Sequence, residues 1–125
     1  MAKKESLLIN RLKSVRYAYN GALFLFKTEA SIKVQVAFAI LVTVAGFYFK
    51  ISNTEWILQV ICIGLVLSLE GINTAVEYMA DFIHPDHHTS IGRIKDIAAG
   101  AVFMAATSAF IVALIIYLPR LIDLL

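Results

Sequence analysis

Charge is what this chain has least of. Asp, Glu, Lys and Arg supply 16% of its 125 residues, while apolar residues supply 60%. Soluble domains carry about 25% charged residues and are about half apolar. A chain this poor in charge does not fit the soluble class, and its net charge of +2 is too small to argue for a nucleic-acid partner. Cysteine is almost absent. The single Cys62 excludes an intrachain disulfide and a cysteine-built metal centre, and inside an apolar run it reads as filler. Only two prolines, Pro85 and Pro119, interrupt the chain. Gly-rich phosphate-binding signatures are missing as well. Neither G-x-x-x-x-G-K-[ST] nor G-x-G-x-x-G occurs, which excludes a P-loop enzyme and an ordinary protein-kinase fold. No clean apolar stretch follows Met1-Ala2-Lys3-Lys4, so no cleavable signal peptide is expected.

What is present is continuous hydrophobicity. The apolar runs do not alternate, which argues for membrane helices and against a barrel. Residues 34–49 are apolar except for Gln35 and Thr43, and with their flanks they reach the roughly 20 residues a span requires. A first transmembrane helix is expected over 32–50. A tight turn at 51–55 follows, with Thr54 or Asn53 as the helix cap and Trp56 as an interfacial aromatic. A second is expected over 56–83 and a third over 95–118. Pro85 and Gly92 mark the loop between them, and Pro119 and Arg120 the end. The third is rich in Ala, Gly, Ser and Thr, which lets helices approach closely in lipid. Ahead of all three, residues 5–28 repeat apolar side chains at Leu8, Leu12, Val15, Tyr19, Ala22, Leu23 and Phe26, with Arg11, Lys13 and Arg16 around the rest. That is an amphipathic helix on the membrane surface or on protein. The polar stretch 27–33 bends it into the bilayer. The fold class is therefore all-α integral membrane: three transmembrane helices and an N-terminal amphipathic surface helix in one domain, 1–125.

Most Lys and Arg side chains precede the first span or lie between the second and third, at Arg93 and Lys95. Lys50 and Arg120 are alone on the other side. The positive-inside rule makes the N-terminus and the second loop cytoplasmic.

One stretch departs from the apolar pattern. The second span is strictly apolar only from 57 to 69, too short to cross. Carrying the helix onward places Glu70, Asn73, Glu77 and Asp81 within an arc of about 80° on one face. Depth then divides them: Glu70 and Asn73 lie in the inner leaflet, Glu77 and Asp81 near the cytoplasmic interface. Ionisable groups at membrane depth are expensive and mark functional sites, although interhelical hydrogen bonding is a competing use. Glu29, Glu77, Asp81, Asp96 and Lys95 gather where ATP and Mg²⁺ are available. Carboxylates hold Mg²⁺ and Lys partners phosphate. Glu70 is placed to accept a proton. Together these suit phosphoryl transfer to a lipid hydroxyl. An ion-coupled or non-catalytic membrane protein is the alternative. It would carry its acidic groups near mid-bilayer, open to both sides. The loop histidines His84, His87 and His88 read as polar loop residues, not as a dedicated metal site.

The block Glu70-Gly71-Ile72-Asn73-Thr74-Ala75-Val76-Glu77, then Asp81, then Gly92-Arg93-Ile94-Lys95-Asp96-Ile97-Ala98-Ala99-Gly100-Ala101-Val102, resembles the small bacterial integral-membrane lipid kinases, the prokaryotic diacylglycerol and undecaprenol kinases. The likeness covers nearly the whole chain. It implies a homotrimer with composite sites between subunits in the bacterial inner or plasma membrane, and transfer from ATP, with Mg²⁺, to a lipid alcohol. By position it implies Glu70 as general base and lipid contact, and Glu29 and Glu77 as Mg²⁺ and nucleotide ligands. Tyr17, Asp86, His87, His88, Lys95 and Asp96 match nucleotide contacts. Asn73 and Asp81 orient the site, and Ser14, Tyr19, Lys33 and Ala99 meet the lipid. Where the family pattern has an arginine near the start of the surface helix, this chain has Asn10, with Arg11 beside it. The Asn-Thr-Ala and Ala-Gly-Ala-Val wording is closer to the undecaprenol branch.

Overall fold

The computed structural model describes residues 6–125; Lys3, Lys4 and Glu5, used above for charge placement and the start of the surface helix, lie outside that range. Four helices follow one another: α1 Leu7–Thr28, α2 Ala30–Phe49, α3 Asn53–Ile83 and α4 Thr89–Leu124. No strand occurs among the described residues. Three of the helices, α2 to α4, are long and apolar enough to cross a membrane. The chain is an all-α, multi-pass membrane protein.

α1 is capped by the Ser6 hydroxyl, which accepts from the Ile9 amide at 3.2 Å, and it buries no residue. Its last turns lean on α3. Phe24 and Tyr78 stack with ring centroids 6.2 Å apart, and Leu25 reaches the backbone at Gly71. The polar break is narrower than 27–33. Only Glu29 leaves helical geometry, at φ −101° and ψ 115°, and the next helix resumes at Ala30. One extended residue is enough to redirect a chain whose flanks both favour helix.

α2 ends in a left-handed cap at Lys50, φ 54°. Gly46 makes the close turn possible, because a Cβ there would sit 2.7 Å from the Trp56 ring. Trp56 is thus a packing residue between α2 and α3, in contact with Phe47 at 4.8 Å, beyond its interfacial placement. The α3 cap is Ser52, not Asn53 or Thr54. The Ser52 hydroxyl accepts from the Glu55 amide at 3.2 Å, and the Ser52 amide donates to the Glu55 carboxylate at 3.0 Å. This reciprocal box satisfies two helix-terminal donors.

At about 1.5 Å per residue, α3 and α4 exceed the roughly 30 Å hydrocarbon core by several turns. α4 begins at Thr89, so Lys95 and Asp96 lie in its second turn and do not open it. It also runs through Pro119 to Leu124, where an end was expected. Proline leaves the Ile115 carbonyl without its helical donor. The next turn is held in compensation by Arg120. Its guanidinium donates to both Glu55 carboxylate oxygens, at 2.8 and 2.9 Å, and to the Ile116 carbonyl at 2.6 Å.

The best-packed region is at this end, around Ile51, Ile116 and Tyr117. There the Gln59 amide donates to the Val42 carbonyl at 3.1 Å. The Tyr117 hydroxyl lies 2.5 Å from Gln59 Oε1 and 2.9 Å from the Val42 carbonyl oxygen. This network ties α2, α3 and α4 together at the end opposite the acidic face.

Candidate active site

The acidic face of α3 is built as two levels. At the deeper level Glu70 is 8% exposed. Its carboxylate receives a single hydrogen bond among the described residues, from Gln35 Nε2 on α2 at 3.3 Å. Thr74, 3% exposed, donates its hydroxyl to the Glu70 carbonyl at 3.1 Å, which leaves the backbone helical while removing a polar group from the lipid side. One turn on, Asn73 is buried, and its Nδ2 donates to Glu77 Oε1 at 3.2 Å. Each of the two amides therefore serves one carboxylate. Each also keeps a buried carbonyl oxygen, Gln35 Oε1 and Asn73 Oδ1, with no donor. Leaving a buried acceptor unpaired costs about 1–3 kcal/mol. Two such oxygens stand beside the two carboxylates of this face.

At the shallower level the Lys95 ammonium meets Asp81 Oδ1 at 2.5 Å across α3 and α4. Both groups are substantially exposed, so the pair contributes little to stability and chiefly aims the lysine. Asp81 and Lys95 also wall a cavity of about 270 Å³ with His84, Asp86, His87 and His88. The loop is set by its own hydrogen bonds. His84 Nδ1 contacts the Asp86 carbonyl at 2.8 Å, and His88 Nδ1 accepts from the Ser90 amide at 3.1 Å, capping α4. That acceptor role requires the Nδ1 of His88 to be unprotonated.

The remaining residues named from the sequence stay apart within one chain. Glu29 is half-buried at the α1–α2 break and no hydrogen bond joins it to Glu77. Tyr17 and Tyr19 are exposed on α1, and the Ser14 hydroxyl donates to the Asn10 carbonyl at 3.0 Å. Lys33, Asp96 and Ala99 are exposed. No group of three His, Cys, Asp or Glu side chains able to hold a metal occurs among the described residues. Magnesium needs no such group. It is commonly held by one or two carboxylates and by substrate phosphates. Glu77 with the unpaired Asn73 Oδ1 beside it offers the hard oxygens that such a site uses.

Over residues 16–117 the chain matches the model of the prokaryotic diacylglycerol kinase family. The chain belongs to that family. It is 38% identical over 114 residues to the undecaprenol kinase of Bacillus subtilis (strain 168), covering 90% of this chain and 93% of the relative. It is 32% identical over 117 residues to a diacylglycerol kinase of Synechocystis, covering 93% of this chain and 67% of the relative. A diacylglycerol kinase of Haemophilus influenzae is 30% identical over 102 residues, covering 82% and 86%. The resemblance read from the sequence is borne out, and with it the enzyme class: a lipid kinase.

Gln35, the one amide in its apolar run, was not assigned to the site from the sequence. Gln59, Tyr117 and the Glu55–Arg120 pair were also passed over. An amide or ion pair within membrane-spanning helices was the available signal.

Proposed function

We propose that this lipid kinase transfers the γ-phosphoryl group of ATP to the hydroxyl of undecaprenol, forming undecaprenyl phosphate and ADP. The observation that carries the chemistry is the stacking of two levels along one face of α3: a buried carboxylate at Glu70 and, three turns on, Asp81 paired with Lys95 of α4. A lipid hydroxyl arrives from the bilayer at the first level, and a charged donor arrives from water at the second.

Glu70 takes the hydroxyl proton as the lipid oxygen forms its bond to the γ-phosphorus and the bond to the ADP oxygen breaks. The proton then leaves to water. Lys95 faces the phosphates and offsets the charge that develops on them. Asp81 aims that lysine, and Asn73 orients Glu77. Glu29 and Glu77 are the residues that would hold Mg²⁺, which neutralises phosphate charge when bound. Tyr17, Asp86, His87, His88 and Asp96 complete the nucleotide side. Ser14, Tyr19, Lys33 and Ala99 complete the lipid side. The site faces the cytoplasm of a bacterial inner or plasma membrane, and a homotrimer supplies the parts that one chain leaves apart.

Support for undecaprenol comes from the 38% identical relative of that name; diacylglycerol is the second reading, supported by the relatives at 32% and 30%. Reconstituted protein is given γ-labelled ATP, Mg²⁺ and both lipids in competition. Label in undecaprenyl phosphate is the expected result, and label in phosphatidic acid reverses the choice. An ion-coupled carrier would label neither lipid.

A further inference from the structure

Gln35 stands on α2 between Val34 and Val36, in an otherwise apolar stretch of the helix. It lines a groove of about 330 Å³ between α2, α3 and α4, alongside Phe38, Ala39, Val42, Leu67 and Ala106. A leucine or methionine would suit that groove. An amide there carries a buried Oε1 with no donor and spends its Nε2 on the Glu70 carboxylate at 3.3 Å. A side chain that bears this cost in a membrane span is retained for what it does to its partner. We infer that Gln35 is a positioning residue for the reaction: its amide orients the Glu70 carboxylate toward the lipid hydroxyl. This rests on the kinase reading of Glu70 given above.

The physical basis is the directionality of the hydrogen bond. An N–H donor to a carboxylate is stronger and more directional than a neutral pair, most of all where water is scarce. No other group supplies a donor. No titratable side chain on α1, α2, α3 or α4, including the nearest in sequence, Glu77 and Tyr78 on α3 and Lys33 on α2, is hydrogen-bonded to the Glu70 carboxylate among the described residues. Thr74 bonds the Glu70 backbone carbonyl instead. The orientation of Glu70 therefore depends on one amide from another helix.

The test uses the full-length protein in bilayers, as wild type and as Gln35→Leu and Gln35→Met. The probe is dicyclohexylcarbodiimide, which enters the bilayer and reacts with carboxyl groups there. Modification of Glu70 is read by mass spectrometry. Removing the donor frees the carboxyl from α2, and the loss of a hydrogen bond to a charged group corresponds to a factor of about ten. Glu70 modification is therefore expected to rise about tenfold in both variants. In parallel kcat falls while KM for ATP holds. Wild-type modification rates in both variants would overturn the inference. So would a loss of turnover that merely tracks the folded fraction, measured by unfolding in detergent, because interhelical glue alone predicts that. A wild-type protein that phosphorylates no lipid alcohol would end the functional reading. The modification rates would still decide for or against Gln35, since they require no turnover.

Discussion

Replacing Glu70 by glutamine tests the division of α3 into a lipid level and a nucleotide level. The substitution conserves volume, and the new side chain still offers a carbonyl oxygen to Gln35 Nε2, so the α2–α3 contact at 3.3 Å is preserved in kind. What it removes is the proton acceptor. A positioned general base contributes about 100- to 10,000-fold to rate, which corresponds to about 3–5 kcal/mol of barrier. Turnover of the lipid alcohol should fall by that factor. Glu77 lies seven residues on, about 10 Å along the axis at the helical rise, so the nucleotide end is left intact. Binding of Mg·ATP should be unchanged. The assay pairs steady-state phosphorylation of lipid with equilibrium binding of a fluorescent ATP analogue, on protein whose elution volume matches wild type. Near-normal turnover in Glu70→Gln refutes the base assignment. A large loss of nucleotide affinity refutes the separation of levels.

Other substitutions probe the remaining parts. Glu77→Ala should weaken Mg·ATP binding about tenfold or more and free the Asn73 amide, while lipid binding holds; titration with Mg·ATP checks this, and unchanged affinity counts against Glu77 as a ligand. Asp81→Asn should leave stability within about 1 kcal/mol, because its pair with Lys95 is exposed, yet raise KM for ATP several-fold by releasing the lysine; a wild-type KM removes Asp81 from the site. Tyr117→Phe should cost about 1–2 kcal/mol in detergent unfolding, by leaving Gln59 Oε1 without its donor, with kcat unchanged; a fall in kcat at constant stability would connect the far network to catalysis.

The helices were legible because the bilayer leaves the backbone few choices. Every buried N–H and C=O must be satisfied within its own segment, so a long apolar run is a helix. The same constraint carried α3 past Leu69 and set Glu70, Asn73, Glu77 and Asp81 on one face before any contact was known. Local punctuation was read less well. Ser52-Asn53-Thr54-Glu55 is the S-x-x-E capping pattern, and its reciprocal bonds place the cap one or two residues earlier than Asn53 or Thr54 suggested. Pro119 does not end α4, because Arg120 is tied to Glu55, 65 residues away in sequence. A pairing at that distance has no local signal. Gln35 was visible as an exception, yet its partner Glu70 is 35 residues distant, and only packing brings them together.

The residues left apart by the fold bear on assembly. Glu70 and Glu77 are each braced by an amide inside the chain, whereas Glu29 at the α1–α2 break is joined to neither. Tyr17 is 70% and Tyr19 64% exposed on a helix that buries nothing. α3 and α4 meanwhile expose Ile57, Val60, Ile61, Phe103 and Met104. In lipid these apolar side chains need no cover, so they give no drive to associate. The unfinished site does. Glu29 and Glu77, the two carboxylates proposed to share Mg²⁺, are not joined by any hydrogen-bonded group within one chain among the described residues. The proposed homotrimer predicts that α1 of one copy, with Tyr17 and Glu29, lies over the acidic face of another. Mixed oligomers check this. Subunits carrying Glu29→Gln, inactive alone, should regain activity when co-assembled with inactive Glu70→Gln subunits, because one composite site then holds both native carboxylates. No recovery at any mixing ratio would mean that each chain completes its own site.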